Sequence, residues 1–337
     1  MKKLVVTGLT ILPALFATAA MGAETINAAG ATFPAPIYQK WFQEYKTAHP
    51  DVQINYQALG SGAGMRQLGA KTVDFGASDE PMTDERMKAL NVDPLHFPTV
   101  MGAVVLTYNV PEVKGALKLT PEAIAGIYLG DIKKWSDPKI KSANAGVNLP
   151  DKDIQVVHRS DGSGTSFVFT DYVSKVSSDW KSKVGANDSV QWPIGLGGKG
   201  NDGVTGLVKQ TPYSLGYVEL FYALQNKMPV ADIKNASGKF VTPSLEGVTA
   251  AAANSKEMPE DFRVSITNAP GDKSYPISTF TWLLIPKQIP DATKREAIKG
   301  FLAWMLTTGQ KDAAALSYAP LPKAVVAKEQ KQIALIK

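Results

Sequence analysis

The sequence predicts an α/β fold, and two observations carry that expectation. Strand-like stretches alternate along the chain with helix-like stretches that hold their apolar residues on one face. The 337 residues are 44% hydrophobic and 20% charged, which is enough apolar side chain to build a core and too much for a disordered polymer. The length suggests two domains.

Residues 1–23 read as an address rather than as part of the fold. Lys2 and Lys3 form a basic start, Leu4 to Ala20 carry no charge, and small residues follow up to Ala23. That is the layout of a secretory signal peptide, with Gly8 and Pro13 interrupting a run too short to span a bilayer. Its removal takes away two lysines and no acids, which lowers the formal charge from +5 to +3. No run of five basic residues is present, so nucleic-acid binding gains no support. The mature protein is expected in the periplasm, exported and soluble.

Along the mature chain, Ile37, Trp41, Phe42, Tyr45 and Ala48 fall on one helical face. Val52, Ile54 and Tyr56 then alternate with polar residues as a half-buried strand requires. Further strands are expected over 73–77, 103–108, 154–158, 214–218 and 281–285. A helix over 167–180 presents Phe169, Tyr172, Val173, Val176 and Trp180, and a later one presents Ile298, Phe301, Leu302 and Met305. All of these faces read as core packing.

The absence of cysteine excludes disulfides, a thiolate metal site, a cysteine nucleophile and a lipid anchor on an N-terminal cysteine. Three scattered histidines, His49, His96 and His158, do not make a zinc cluster. No metal or other cofactor is expected.

The residues with chemistry to offer sit in four short segments. Gly30-Ala31-Thr32-Phe33-Pro34 precedes the first helix, where Thr32 suits an N-cap. Gly60-Ser61-Gly62-Ala63-Gly64 follows the 52–58 strand, and Arg159 through Ser166 joins the 154–158 strand to the 167–180 helix. Each turns into a helix with small residues that leave backbone N–H groups uncovered, at the positive end of a helix dipole. Three such turns, one with an arginine, point to an oxyanion site. In the fourth segment, Val73 to Glu80, Asp79 ends a short strand. By residue chemistry alone it reads first as the cap of a helix over 80–90.

Taken together, A-G-A-T-F-P-A-P at 29–36, V-D-F-G-A-S-D at 73–79, D-G-S-G-T-S-F-V-F-T at 161–170 and W-P-I-G-L-G-G-K-G-N-D-G at 192–203 resemble one family. It is the periplasmic phosphate-binding protein of the high-affinity phosphate ABC transporter, and the likeness runs from about residue 27 to about residue 325. The resemblance implies a two-lobed periplasmic-binding-protein fold of type II, with two hinge crossings and a ligand cleft between the lobes. Lobe 1 would take 24–102 and 276–337, and lobe 2 would take 103–275. Thr32, Phe33, Ser61 and Asp79 would hold phosphate from lobe 1; Arg159, Ser163, Gly164 and Thr165 would hold it from lobe 2. Phosphate and the permease subunits of the transporter are the implied partners, and a monomer suits a carrier that must dock reversibly. The sequence departs from the family at His158, where a second arginine is usual, and in its Gly-Ser-Gly-Ala-Gly turn.

Such residues suit phosphate physically. A buried dianion must regain the hydrogen bonds it had in water, and N–H groups and hydroxyls supply them without an equal number of buried charges. Arg159 adds charge-assisted bonds, with Asp161 placed to orient the guanidinium. Asp79 accepts the proton that phosphate still carries near neutral pH, and it repels fully ionised sulfate.

Two other readings compete. A secreted serine hydrolase would use Ser163 with His158 as base and Asp79 or Asp161 as orienting acid, though the G-x-S-x-G pattern is absent. A binding protein for sulfate or molybdate would share the donors but have no use for Asp79. The literal G-x-G-x-x-G at Gly195, Gly197 and Gly200 lacks room for a strand after Trp192-Pro193 and is read as glycine packing before a helix over 204–210.

Overall fold

The structure is a computed structural model, described here for residues 23–337. The signal segment expected at 1–23 lies outside the described residues except for Ala23. Eleven strands are described: β1 (Glu24–Gly30), β2 (Val52–Ala58), β3 (Phe75–Ser78), β4 (Pro94–Asn109), β5 (Lys118–Leu119), β6 (Gln155–Arg159), β7 (Leu196–Gly198), β8 (Ser214–Glu219), β9 (Asp232–Lys234), β10 (Phe240–Val241) and β11 (Ser278–Pro286). The helices of the first half are α1 (Ala35–Ala48), α2 (Ser61–Gly69), α3 (Asp84–Ala89), α4 (Pro121–Leu129), α5 (Pro138–Lys141) and α6 (Gly164–Val176). Those of the second half are α7 (Ser178–Lys183), α8 (Gly200–Gln210), α9 (Leu220–Gln225), α10 (Leu245–Asn254), α11 (Ala292–Thr307) and α12 (Lys323–Gln332).

Eight strands form one sheet in the order β2-β1-β3-β11-β4-β8-β6-β7, and β10-β9-β5 make a small second sheet. Strand β4 is the pivot of the architecture. Its first part, through Ala103, pairs antiparallel with β11, and from Val104 onward it pairs antiparallel with β8. One strand therefore belongs to both lobes, and the chain returns between them just before β11. Within each lobe the pairing is parallel where crossover helices connect the strands, as in β1 with β2 and β3, and β6 with β8 and β7.

The expected elements fold for the reasons the sequence gives, with four differences. Strand β4 starts nine residues before the expected 103, because Pro94 and Pro98 obscure a run that is nonetheless buried. Pro98 pairs with Trp282 beside a register shift, the place where a strand tolerates a missing N–H. The helix expected over 167–180 is two helices: it begins at Gly164, stops at Val176, and Ser177 caps α7 by accepting from the Trp180 N–H. The helix expected over 80–90 is the shorter α3, and its cap is Thr83, not Asp79. Finally, a short parallel strand, β7, does precede α8, beside β6.

Lobe 1 packs α1 and α11 through Phe42 and Tyr45, whose rings lie against that of Phe301, with Trp41 in the same core. Lobe 2 is built around Phe169, Trp180, Trp192 and Tyr217, with the Phe169 and Tyr217 rings stacked at 4.4 Å. Among the described residues no helix is long and apolar enough to cross a membrane.

Candidate functional site

Four strands, three from one lobe and one running the opposite way from the other, end at the same place. β1 runs out at Gly30 before Thr32, β2 at Ala58 before Ser61, β3 at Ser78 before Asp79, and β6 at Arg159. Ligands of open α/β sheets gather at such carboxyl ends. All eight residues singled out in the sequence meet here, and Thr32, Ser61, Asp79, Arg159, Ser163 and Thr165 are each no more than 5% exposed.

From lobe 1, Ser61 stands at the first position of α2 and its Oγ accepts from the Asp79 N–H at 3.2 Å. The Asp79 carboxylate accepts from Thr281 Oγ1 at 2.7 Å, so β11 anchors it. Burial pushes the Asp79 carboxyl up to about 7, against the opposing Thr281 hydrogen bond, the Arg159 charge and the Ser61 hydrogen bond. Thr32 does not cap α1: the N-cap is Pro34, with no side-chain bond, and Thr32 Oγ1 instead accepts from lobe 2. Phe33 stacks its ring over the hinge strand at Gly102, where a Cβ would come within 2.6 Å of Phe33 Cζ. Its N–H meets no backbone carbonyl among the described residues.

From lobe 2, Arg159 is clamped by Asp161, which accepts from Nε at 2.8 Å and Nη2 at 2.6 Å. Asp161 Oδ1 also accepts from the Gly200 N–H at 3.0 Å. Burial pushes the Asp161 carboxyl up, but the Arg159 hydrogen bonds and charge and the Gly200 N–H outweigh it and hold the group below its ordinary value. The remaining guanidinium nitrogen, Nη1, is buried without a hydrogen-bond partner among the described residues. A buried guanidinium N–H left unpaired is costly, so this atom marks the position of a missing acceptor. Ser163 caps α6 by accepting from the Ser166 N–H at 3.0 Å, and the N–H groups of Gly164 and Thr165 open the same helix without intrahelical acceptors.

The two lobes touch across this cluster. The Gly62 N–H donates to the Gly162 carbonyl at 3.0 Å. A Cβ on Gly164 would stand 2.5 Å from Ser61 Oγ and 2.7 Å from the Asp79 nitrogen. At the rim, Arg86 Nη2 meets Asp188 Oδ2 at 2.8 Å. Two residues that sequence reasoning passed over also join the lobes. Tyr222 donates to the Thr32 carbonyl at 2.5 Å, and Asn201 donates to the hydroxyls of both Thr32 and Thr165. The sequence signal for Asn201 was its position at the start of a helix, inside a stretch read only for its glycines.

The hydrolase arrangement does not form. The His158 ring stacks on Trp192 at 4.7 Å, and its Nδ1 lies 3.0 Å from the Arg159 carbonyl rather than near Ser163. The G-x-G-x-x-G turn is no dinucleotide site either. Glu219 is fully buried as the N-cap of α9, with burial raising its carboxyl well above the ordinary range.

Comparison with known proteins gives the family. The family described as the PBP superfamily domain matches residues 17–308. A protein of Pasteurella multocida named phosphate-binding protein PstS is 47% identical over 326 residues, covering 96% of this chain and 94% of that protein. The chain belongs to the PstS family. A PstS of Haemophilus influenzae is 45% identical over 306 residues, with 90% of this chain and 91% of the relative covered. Among solved structures, a phosphate-binding protein from Stenotrophomonas maltophilia aligns with a TM-score of 0.70 at 20% identity, covering 92% of this chain and 94% of that one. A putative phosphate ABC transporter substrate-binding protein from Clostridium perfringens, solved with bound phosphate, aligns at 0.64 and 19% identity, covering 89% of this chain and all of the other. At such identity these structures speak for the fold, the two-lobed type II arrangement. The PstS family consists of substrate-binding transport proteins, not enzymes.

Proposed function

We propose that this protein captures one inorganic phosphate ion between its lobes and hands it to the permease of an ABC transporter. The ligands are Thr32, Phe33, Ser61 and Asp79 from lobe 1, and Arg159, Ser163, Gly164 and Thr165 from lobe 2. Lobe 1 comprises 24–102 and 276–337, and lobe 2 comprises 103–275, the crossings falling where β4 changes partners and just before β11. Export by a signal peptide at 1–23 delivers a monomer to the periplasm.

The single observation that carries this reading is Arg159 Nη1, a buried charged donor with no acceptor among the described residues. Around it stand hydroxyls and helix-start N–H groups in number, and one carboxylate. That inventory is a tetrahedral oxyanion turned inside out: many donors for the oxygens, and one acceptor for a proton. Sulfate and molybdate have no use for the carboxylate. Near neutral pH phosphate keeps at least one proton and therefore donates to Asp79, whereas fully ionised sulfate meets a like charge with no hydrogen bond.

Titration calorimetry on phosphate-stripped mature protein with phosphate, arsenate, sulfate and nitrate tests the proposal. Phosphate and arsenate are expected to bind and sulfate and nitrate to bind far more weakly. Equal or tighter binding of sulfate would overturn it.

A further inference from the structure

Asn201 is the second residue of α8 and fully buried at the meeting of the lobes. Its Oδ1 accepts from the Glu219 N–H at 2.9 Å, which fixes the side of the amide that carries oxygen. The two hydrogens on Nδ2 are then directed at Thr32 Oγ1, 2.9 Å away, and Thr165 Oγ1, 3.2 Å away. The backbone N–H of Asn201 also points at Thr32 Oγ1, at 3.3 Å.

A hydroxyl has two lone pairs and one proton. Both lone pairs of Thr32 are occupied by Asn201, so the remaining capacity of that hydroxyl is to donate, and no acceptor for its proton is found among the described residues. Thr165 likewise accepts from Asn201, and its proton is also unassigned. We propose that Asn201 is a positioning residue that fixes these two hydroxyls, one from each lobe, as donors toward the ligand. As donors, these hydroxyls favour unprotonated oxygens of the anion, and the ligand proton is left to the carboxylate of Asp79. Asn201 thus couples closure of the lobes to the choice of ligand protonation state. This inference rests on the phosphate reading of the site.

A bland alternative is that Asn201 merely fills space. A double-mutant cycle separates the two, with phosphate affinity measured by calorimetry or equilibrium dialysis. Asn201→Ala is expected to weaken phosphate binding by roughly 10-fold or more, as for a lost hydrogen bond to a charged ligand. In a Thr32→Val/Thr165→Val background, the same substitution should change affinity less than about 2-fold, since no hydroxyls remain to orient. Asn201→Leu fills nearly the same space with no side-chain donor and no charge, so it should bind phosphate about as weakly as Asn201→Ala. A space-filling role predicts instead that Asn201→Leu restores binding. Should the Asn201 variants fail to fold, the wild-type complex still decides. Proton–phosphorus coupling across hydrogen bonds from both threonine hydroxyls is expected by NMR, and its absence from both overturns the inference. Wild-type protein that binds no phosphate would sink the functional proposal itself; wild-type binding with independent effects in the cycle would sink this inference alone.

Discussion

Asp161 grips Arg159 through Nε and Nη2 and leaves Nη1 buried without a partner among the described residues, the nitrogen that the proposed site offers to phosphate. A lysine lacks the planar fork that lets Nε and Nη2 face Asp161 while Nη1 points elsewhere. Arg159→Lys should therefore cost about 1.5–3 kcal/mol of phosphate binding, roughly 10- to 150-fold in Kd. Calorimetry checks this, and an unchanged Kd would remove Arg159 from the ligand set.

In the proposed site Asp79 supplies the selectivity. Asp79→Asn keeps the shape and the Thr281 contact but removes the negative charge that repels sulfate. The variant should narrow the preference for phosphate over sulfate in competition binding. Unchanged discrimination would show that the carboxylate does not touch the ligand.

The same buried carboxyl makes the ligand-free protein sensitive to pH. Burial pushes Asp79 and Glu80 up to about 7, Glu80 further under the charge of Asp188 and with Arg86 opposing. The folded state thus keeps protons that the unfolded chain releases near pH 4. Their stabilising contribution is fully present in acid and is lost as pH rises through about 7. The Tm of the phosphate-free wild type should fall more steeply from pH 4 to 7 than that of Asp79→Asn, which has no carboxyl to ionise there. Parallel curves would mean that Asp79 is ionised throughout.

Gly164 sits where the lobes meet, with no room for a side chain. A methyl group there would collide with Ser61 and Asp79, both in the opposite lobe, while an alanine at the start of α6 costs its own lobe nothing. Gly164→Ala should fold with near-wild-type stability in the absence of ligand, bind phosphate at least 100-fold more weakly (about 3 kcal/mol), and remain extended in solution scattering at phosphate concentrations that compact the wild type. Normal affinity would show that closure does not bring these residues together.

Much of this site was legible in the sequence because its parts are local. Three glycine- and hydroxyl-rich turns announce helix starts wherever they lie in the fold, and the string from Asp161 to Thr170 is distinctive by itself. Contacts between distant segments were not legible. Thr32 has the chemistry of a helix cap, and nothing nearby in the chain says that an asparagine 169 residues away will take its lone pairs instead. Thr83 outcompeted Asp79 as a cap because β11 brought Thr281 to the aspartate. The first part of β4 was hidden by Pro94, at the strand start, and Pro98, which sits at the irregularity beside Trp282.

Strand β4 joins the lobes with fifteen of its sixteen residues buried, hydrogen-bonded to β11 along one stretch and to β8 along the next. Sliding it by one place would exchange the side chains of its two buried faces and unfit both, so the backbone there can flex like the spine of a book but cannot ratchet. The two covers then have one way to swing, and every capture of the ion must bring the same pages together.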